Sequence, residues 1–294
     1  MAVLIVVGST GLLVGYALHE ANYDFAQLER AFVRISVEVS RLSTPFSVLL
    51  MLSTFVTWFL AILLVVGIFH RRGFSSLIGR GPHFRYLLTT TLIVAALVVL
   101  ALFTSFLTDK PKLNMPIEVW VGYMAIGVPL LLVQVLSEEL LFRGYLMQEL
   151  AARAKSRLIW WVLPSVIFGI LHYQPAKFGE NAWLVVAVTT MMGLILADIT
   201  ARCGSLVPAI IIHFANNFLA MMLFALDGTI TGLALYLSNV HVNETDLVRA
   251  YLVQNLVMLV VLYSAWLLIQ RRRARLQSAA AANKSAQNAE AEQP

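Results

Sequence analysis

Apolar residues run along this chain in long blocks, separated by short polar or basic connections. A helix needs about 20 residues to cross a ~30 Å hydrocarbon core. The blocks that reach or approach this length are residues 1–18, 46–69, 86–107, 119–150, 158–174, 182–200, 205–225 and 250–270. Several contain Gly or Pro, which membrane helices tolerate better than soluble ones. The pattern predicts an all-α, polytopic transmembrane helical bundle of about eight spans. No Lys or Arg precedes the first block and no small-residue cleavage site follows it, so that span is expected to be retained. Gly11 and Gly15 form one GxxxG, which predicts close helix packing there.

Two stretches break the pattern. In residues 19–45, Phe25, Leu28, Phe32, Ile35 and Val39 recur at helical spacing among charges, as in an amphipathic helix outside the bilayer or on its surface. From about Gln277 the chain is Ala, Gln, Asn, Ser and Glu, a composition expected to stay disordered. The implied organisation is N-terminal spans over 1–118, a polar-loaded helical core over 119–225, a loop and last span over 226–276, and a tail over 277–294.

Composition agrees with a lipid-solvated chain: 60% of the residues are hydrophobic and 13% charged, against about 25% charged in a soluble domain. The net charge of +5 sits at the ends of apolar blocks, as a topology signal does, and argues against a nucleic-acid partner. Arg71, Arg72, Arg80 and Arg85 lie in one connection, Arg153, Lys155 and Arg157 in another, Arg202 in a third, and Arg271, Arg272, Arg273 and Arg275 after the last block. With an even number of spans all four groups share one face. The positive-inside rule makes that face cytoplasmic, with both termini there. The single Cys203 excludes an intrachain disulfide.

Three blocks then carry groups that lipid penalises. An ionisable side chain at mid-depth costs at least ~2.5–3.5 kcal/mol, so each one calls for a reason. The fourth block holds SEELLFRG, with Glu138, Glu139 and Arg143; the fifth holds FGILHY, with His172; the seventh holds HFANN, with His213, Asn216 and Asn217. Glu139 and Arg143 are four apart and can pair along a helix, and His213 and Asn217 have the same spacing, so both can point at one target. Glu138, turned about 100° from Glu139, shares a face with Gln134. Counted from the basic ends, Glu138, His172 and Asn217 all lie at ~20 Å depth or slightly less. Glu139 with Arg143 fits a structural ion pair as well as a catalytic element. His172 alone, or His213 with Asn217, fits interhelical hydrogen bonding. The joint occurrence on three helices is what points to a site, either for catalysis or for a ligand or proton in a transporter or binding protein. The lack of short, paired, broken spans favours the former.

In order, EELLFRG, FxxxH and HxxxN resemble the motifs of the CAAX-protease and bacteriocin-processing family of intramembrane proteases, and the resemblance covers about residues 119–225. It implies hydrolysis of a peptide bond by an activated water. Glu138 would be the general base sharing the water with His172, Glu139 with Arg143 would orient the helix, and His213 with Asn217 would donate to the oxyanion. No cofactor is required by that reading, although Glu138, His172 and His213 could together hold a divalent metal such as Zn. The expected partners are the lipid bilayer and a peptide or protein substrate in or at a bacterial inner membrane, lipidated or not. HExxH and GxSG motifs are absent, and so are paired aspartate motifs, although Leu226–Gly228 reads LDG.

Overall fold

The computed structural model describes residues 2–81 and 84–291, and the protein is a bundle of membrane helices. The helices long and apolar enough to cross a bilayer are α3 (Pro45–His70), α5 (Phe84–Thr108, apolar from Tyr86), Ile117–Arg153, Pro175–Cys203, and the apolar part Thr245–Leu276 of α12 (Thr245–Ala291). Ile117–Arg153 comprises α6 (Ile117–Glu139), a π-helical turn Leu140–Leu146 and α7 (Met147–Arg153). Two apolar helices are shorter, Leu158–Ile170, which includes α8 (Leu163–Ile170), and Val207–Leu223, which begins with α11 (Val207–Phe218). α9 (Pro175–Phe178) and α10 (Ala182–Cys203) lie between them. Each segment expected to span is thus helical, but the fifth and seventh are shorter than the sequence suggested. α8 stops at Ile170, two residues before His172.

At the N-terminus, α1 (Ala2–Glu20) and α2 (Phe25–Arg41) pack on α3. Ala31 and Ile35 of α2 are buried against Ala17 of α1 and Ala21 in the turn that follows it, with Leu28 and Val39 beside them. Leu28, Ile35 and Val39 of the face expected for 19–45 thus pack there, whereas Phe32 is exposed and the side chain of Phe25 lies outside the described residues. Among the described residues of this chain, a Cβ on Gly11 or on Gly15 would meet nothing within 4 Å, so the GxxxG packs no neighbouring helix there. At the other terminus the backbone stays helical to Ala291, where the composition suggested disorder. The alanines of 279–282 are the strongest helix formers available to it.

The basic connections gather at one end of the bundle. Arg72 reaches Gln148 at 2.5 Å and Glu149 at 3.2 Å. The Arg80 N–H donates to the Gly204 carbonyl at 3.0 Å, and Arg273 bonds Thr89. Gly79, at φ +83, fits this joint because a side chain there would strike the Gly204 carbonyl. At the opposite end Asp109 and Lys110 meet Asn239, and Arg249 pairs with Glu180. A small sheet that the sequence pattern did not announce closes that end, in the order β1 (Lys112–Leu113), β3 (Tyr236–His241), β2 (Phe224–Asp227).

Between lipid-facing helices there is little hydrophobic drive, so close packing depends on small residues. The tightest approach is α8 on α10. A Cβ on Gly169 would lie 1.9 Å from Thr190 Oγ1 and 2.8 Å from the Val186 carbonyl, and one on Gly193 would lie 3.1 Å from Ser165. Gly169→Leu should therefore push the two helices apart and cost ~1–3 kcal/mol, as overpacking does. Gly122→Ala, whose Cβ meets nothing within 4 Å, should stay within ~1 kcal/mol of the parent. Thermal unfolding in detergent measures both; equal midpoints for the two variants would show that the helix contact is loose.

Candidate active site

The site is built where α6, α8, α10 and α11 meet. α6 contributes Gln134 and, one turn on, the adjacent Glu138 and Glu139, and the π-helical turn that follows carries Phe142, Arg143 and Gly144. Such a turn shifts the phase of one stretch of helix, and π turns recur at functional positions. Gly144 lets Leu77 and Leu206 close over this turn, since a Cβ there would touch both at 3.3 Å. α8 ends just short of His172, and α11 carries His213, Asn216 and Asn217.

Glu139 is the anchor, with no exposed surface. Its Oε1 accepts from Arg143 Nη1 at 2.9 Å and from His213 Nδ1 at 2.7 Å. The second arm of Arg143 reaches the Gly193 carbonyl at 3.4 Å, and the guanidinium lies 4.7 Å over the Phe168 ring. Arg143 is thereby held by a carboxylate, a carbonyl and an aromatic face, the kind of company a buried cation needs.

Glu138 behaves differently. It is buried and accepts no hydrogen bond among the described residues, where Glu139 lacks a partner at Oε2 alone; its Oε2 stands 3.4 Å from His213 Nε2. Asn217 Nδ2 donates to Gln134 Oε1 at 3.0 Å and lies 3.2 Å from the same His213 Nε2. With Nδ1 on Glu139 and Nε2 on Asn217, both nitrogens of His213 are engaged within the protein, whereas the family resemblance implies that it donates to an oxyanion. The His172 Nδ1 donates to the Phe168 carbonyl at 2.8 Å, which leaves Nε2 as its basic nitrogen. Phe168 also ties the two imidazoles together, its ring centroid 4.8 Å from that of His172 and 5.9 Å from that of His213.

The structure thus joins Glu138, Glu139, Arg143, His213 and Asn217 in one hydrogen-bonded and ion-paired cluster and places His172 one aromatic ring away. Among the described residues no hydrogen bond or ion pair links His172 to either glutamate. Gln134, Phe168 and the Gly193 carbonyl belong to the site as well. Gln134 was legible as a neighbour of Glu138 on the same helix face, whereas a backbone carbonyl leaves no mark in a sequence. The donors do not assemble as a metal centre. Among the described residues no three His, Cys, Asp or Glu side chains group as ligands, and both nitrogens of His213 already face protein partners.

All these residues lie in one stretch with recognisable relatives. Residues 120–219 match the family described as type II CAAX prenyl endopeptidase Rce1-like. The site sits on an Rce1-like segment. An uncharacterized Bacillus subtilis (strain 168) protein, YyaK, is 26% identical over 114 residues, a match that spans 38% of this chain and 38% of that protein. No solved structure matches the chain. The Rce1-like segment contains every polar residue of the cluster, and the helices on either side of it in sequence enclose it: α3 packs along α6, where Ser137 bonds the Phe55 carbonyl at 3.0 Å.

Arg143→Met should leave the Glu139 charge buried with half its partners and destabilise the protein by ~3–5 kcal/mol. Combining it with Glu139→Gln should recover most of that loss, because the charge that needed Arg143 is gone. Unfolding midpoints of the four proteins decide; a double variant no more stable than Arg143→Met would mean that the pair is not an ionic unit.

Proposed function

We propose that this integral membrane protein is an intramembrane endopeptidase that hydrolyses peptide bonds of membrane-associated or lipidated peptides. The observation that carries the reading is Glu138, a buried carboxyl that accepts no hydrogen bond among the described residues where its neighbour Glu139 accepts two through Oε1, beside an imidazole and a carboxamide that are already hydrogen-bonded. A carboxylate so placed has lone pairs free to accept a proton from water, and the likeness of residues 120–219 to CAAX prenyl endopeptidases supports peptide hydrolysis as the use.

In this scheme a water is shared by Glu138 Oε2 and His172 Nε2. Glu138 takes its proton as the water oxygen attacks the substrate carbonyl carbon. The carbonyl oxygen becomes an oxyanion and accepts an N–H from Asn217, which rests on His213 Nε2 until that charge develops. The proton then passes from Glu138 to the amide nitrogen as the C–N bond breaks, leaving an acid and an amine. Glu139 and Arg143 touch no reacting atom; they hold His213, and through it the Asn217 amide, in place. No step runs through a metal. The gathered basic end is taken as the cytoplasmic face, with both termini on that side.

Purified protein in liposomes should cleave at least one substrate from a set comprising a prenylated peptide ending in CAAX and unmodified hydrophobic peptides. Glu138→Gln should lower kcat by a factor of ~10²–10⁴, and Asn217→Ala by ~10²–10³, with unchanged thermal unfolding. Binding without cleavage by the parent protein, matched by Glu138→Gln, would instead favour a transporter or binding protein.

A further inference from the structure

We infer that Gln134 and Asn216 form a clamp that sets which way the Asn217 carboxamide faces, and that both are positioning residues for the hydrolysis. This inference rests on the endopeptidase reading above. An Asn side chain ends in two groups of nearly equal size, and a half-turn exchanges its N–H donors for a carbonyl acceptor. In a site that stabilises developing negative charge, such a turn would replace attraction by repulsion.

The structure holds both ends of the amide. Gln134 Oε1 takes one Asn217 N–H at 3.0 Å, and the Asn216 Nδ2 donates to Asn217 Oδ1 at 3.1 Å. The two contacts act in the same sense, because Gln134 offers its acceptor to the nitrogen and Asn216 its donor to the oxygen. The second Asn217 N–H is left for His213 Nε2 at 3.2 Å, next to Glu138 Oε2, where the oxyanion would form. Gln134 suits the task because it is buried on α6 one turn before Glu138, so the base and the clamp share one helix face. Asn216 is the exposed member, on the open side of α11. An amide exposed on a membrane helix is costly unless it has work there.

The geometry predicts a specific kinetic signature. Gln134→Met, which keeps the length of the side chain and removes the acceptor, should lower kcat by about 10-fold or more while moving KM by less than about 3-fold, since it removes stabilisation present only in the transition state. Asn216→Val should lower kcat in the same direction by a smaller factor. In an Asn217→Ala background, where no amide remains to be oriented, Gln134→Met should cost less than about 2-fold further, as coupled neighbours do. A Gln134 that merely packs would instead give the same loss with and without Asn217. The parent and Glu138→Gln are assayed beside these variants. If the parent shows no Glu138-dependent cleavage, the endopeptidase reading falls and the clamp falls with it. If the parent cleaves but Gln134→Met matches it, or if the losses are additive, the clamp alone is overturned.

Discussion

One carboxylate oxygen organises the centre of this protein. Glu139 Oε1 takes hydrogen bonds from Arg143 on its own helix and from His213 on α11, while Arg143 extends to a carbonyl on α10 and lies against Phe168 of α8. Four helices are therefore fastened through a cluster that contains a full positive and a full negative charge where water cannot screen them. In such surroundings an ion pair adds little over an apolar core of the same shape, yet breaking half of it is severe. The cluster consequently acts as a register mark: sliding any of the four helices by one residue strands a charge, so the arrangement of Glu138, Asn217 and His172 around it is fixed with the same stringency.

Much of this could be read from residue order, because lipid turns polarity into information. In water an isolated Glu or His is unremarked; within an apolar block it must be paired or used. The acids of α6, the imidazoles beyond α8 and on α11, and the basic ends of the helices all announced themselves this way. What stayed hidden depends on atoms that have no residue-type signature or on lengths that hydropathy blurs. The Gly193 carbonyl that takes Arg143 is backbone. Gly169 and Gly193, which let α8 and α10 touch, look no different in sequence from Gly11 and Gly15, which touch nothing. The apolar run through 158–174 reads as a full span, although Leu171 and His172 already lie in a turn. The parallel pairing of β2 with β3 joins residues within a stretch that had no alternating pattern to reveal it.

His213 shows where spacing and geometry part. Its position four residues before Asn217 suggests two like donors aimed at one target, as any i, i+4 pair would. Only the coordinates reveal that one of its nitrogens is occupied by Glu139 and the other by Asn217 itself, so that the pair works in series rather than side by side. Glu138 is the converse: adjacent to Glu139 in sequence and chemically identical to it, yet without a hydrogen bond among the described residues where Glu139 accepts two at Oε1. The two acids differ by a rotation of about one hundred degrees around a helix axis, and that rotation brings one to Arg143 and His213 and leaves the other without a hydrogen bond among the described residues.

The brevity of Leu158–Ile170 bears on the surrounding lipid. At 1.5 Å per residue such a helix reaches ~20 Å into a core that is ~30 Å thick. A stretch shorter than the core is accommodated by thinning of the bilayer or by flanking polar residues that reach the interface, and His172 follows directly on this short helix. Thinning at that rim would draw headgroups and their hydration inward, bringing solvent towards residues that would otherwise sit in oil. The bilayer's local thickness thereby becomes part of the protein's working anatomy.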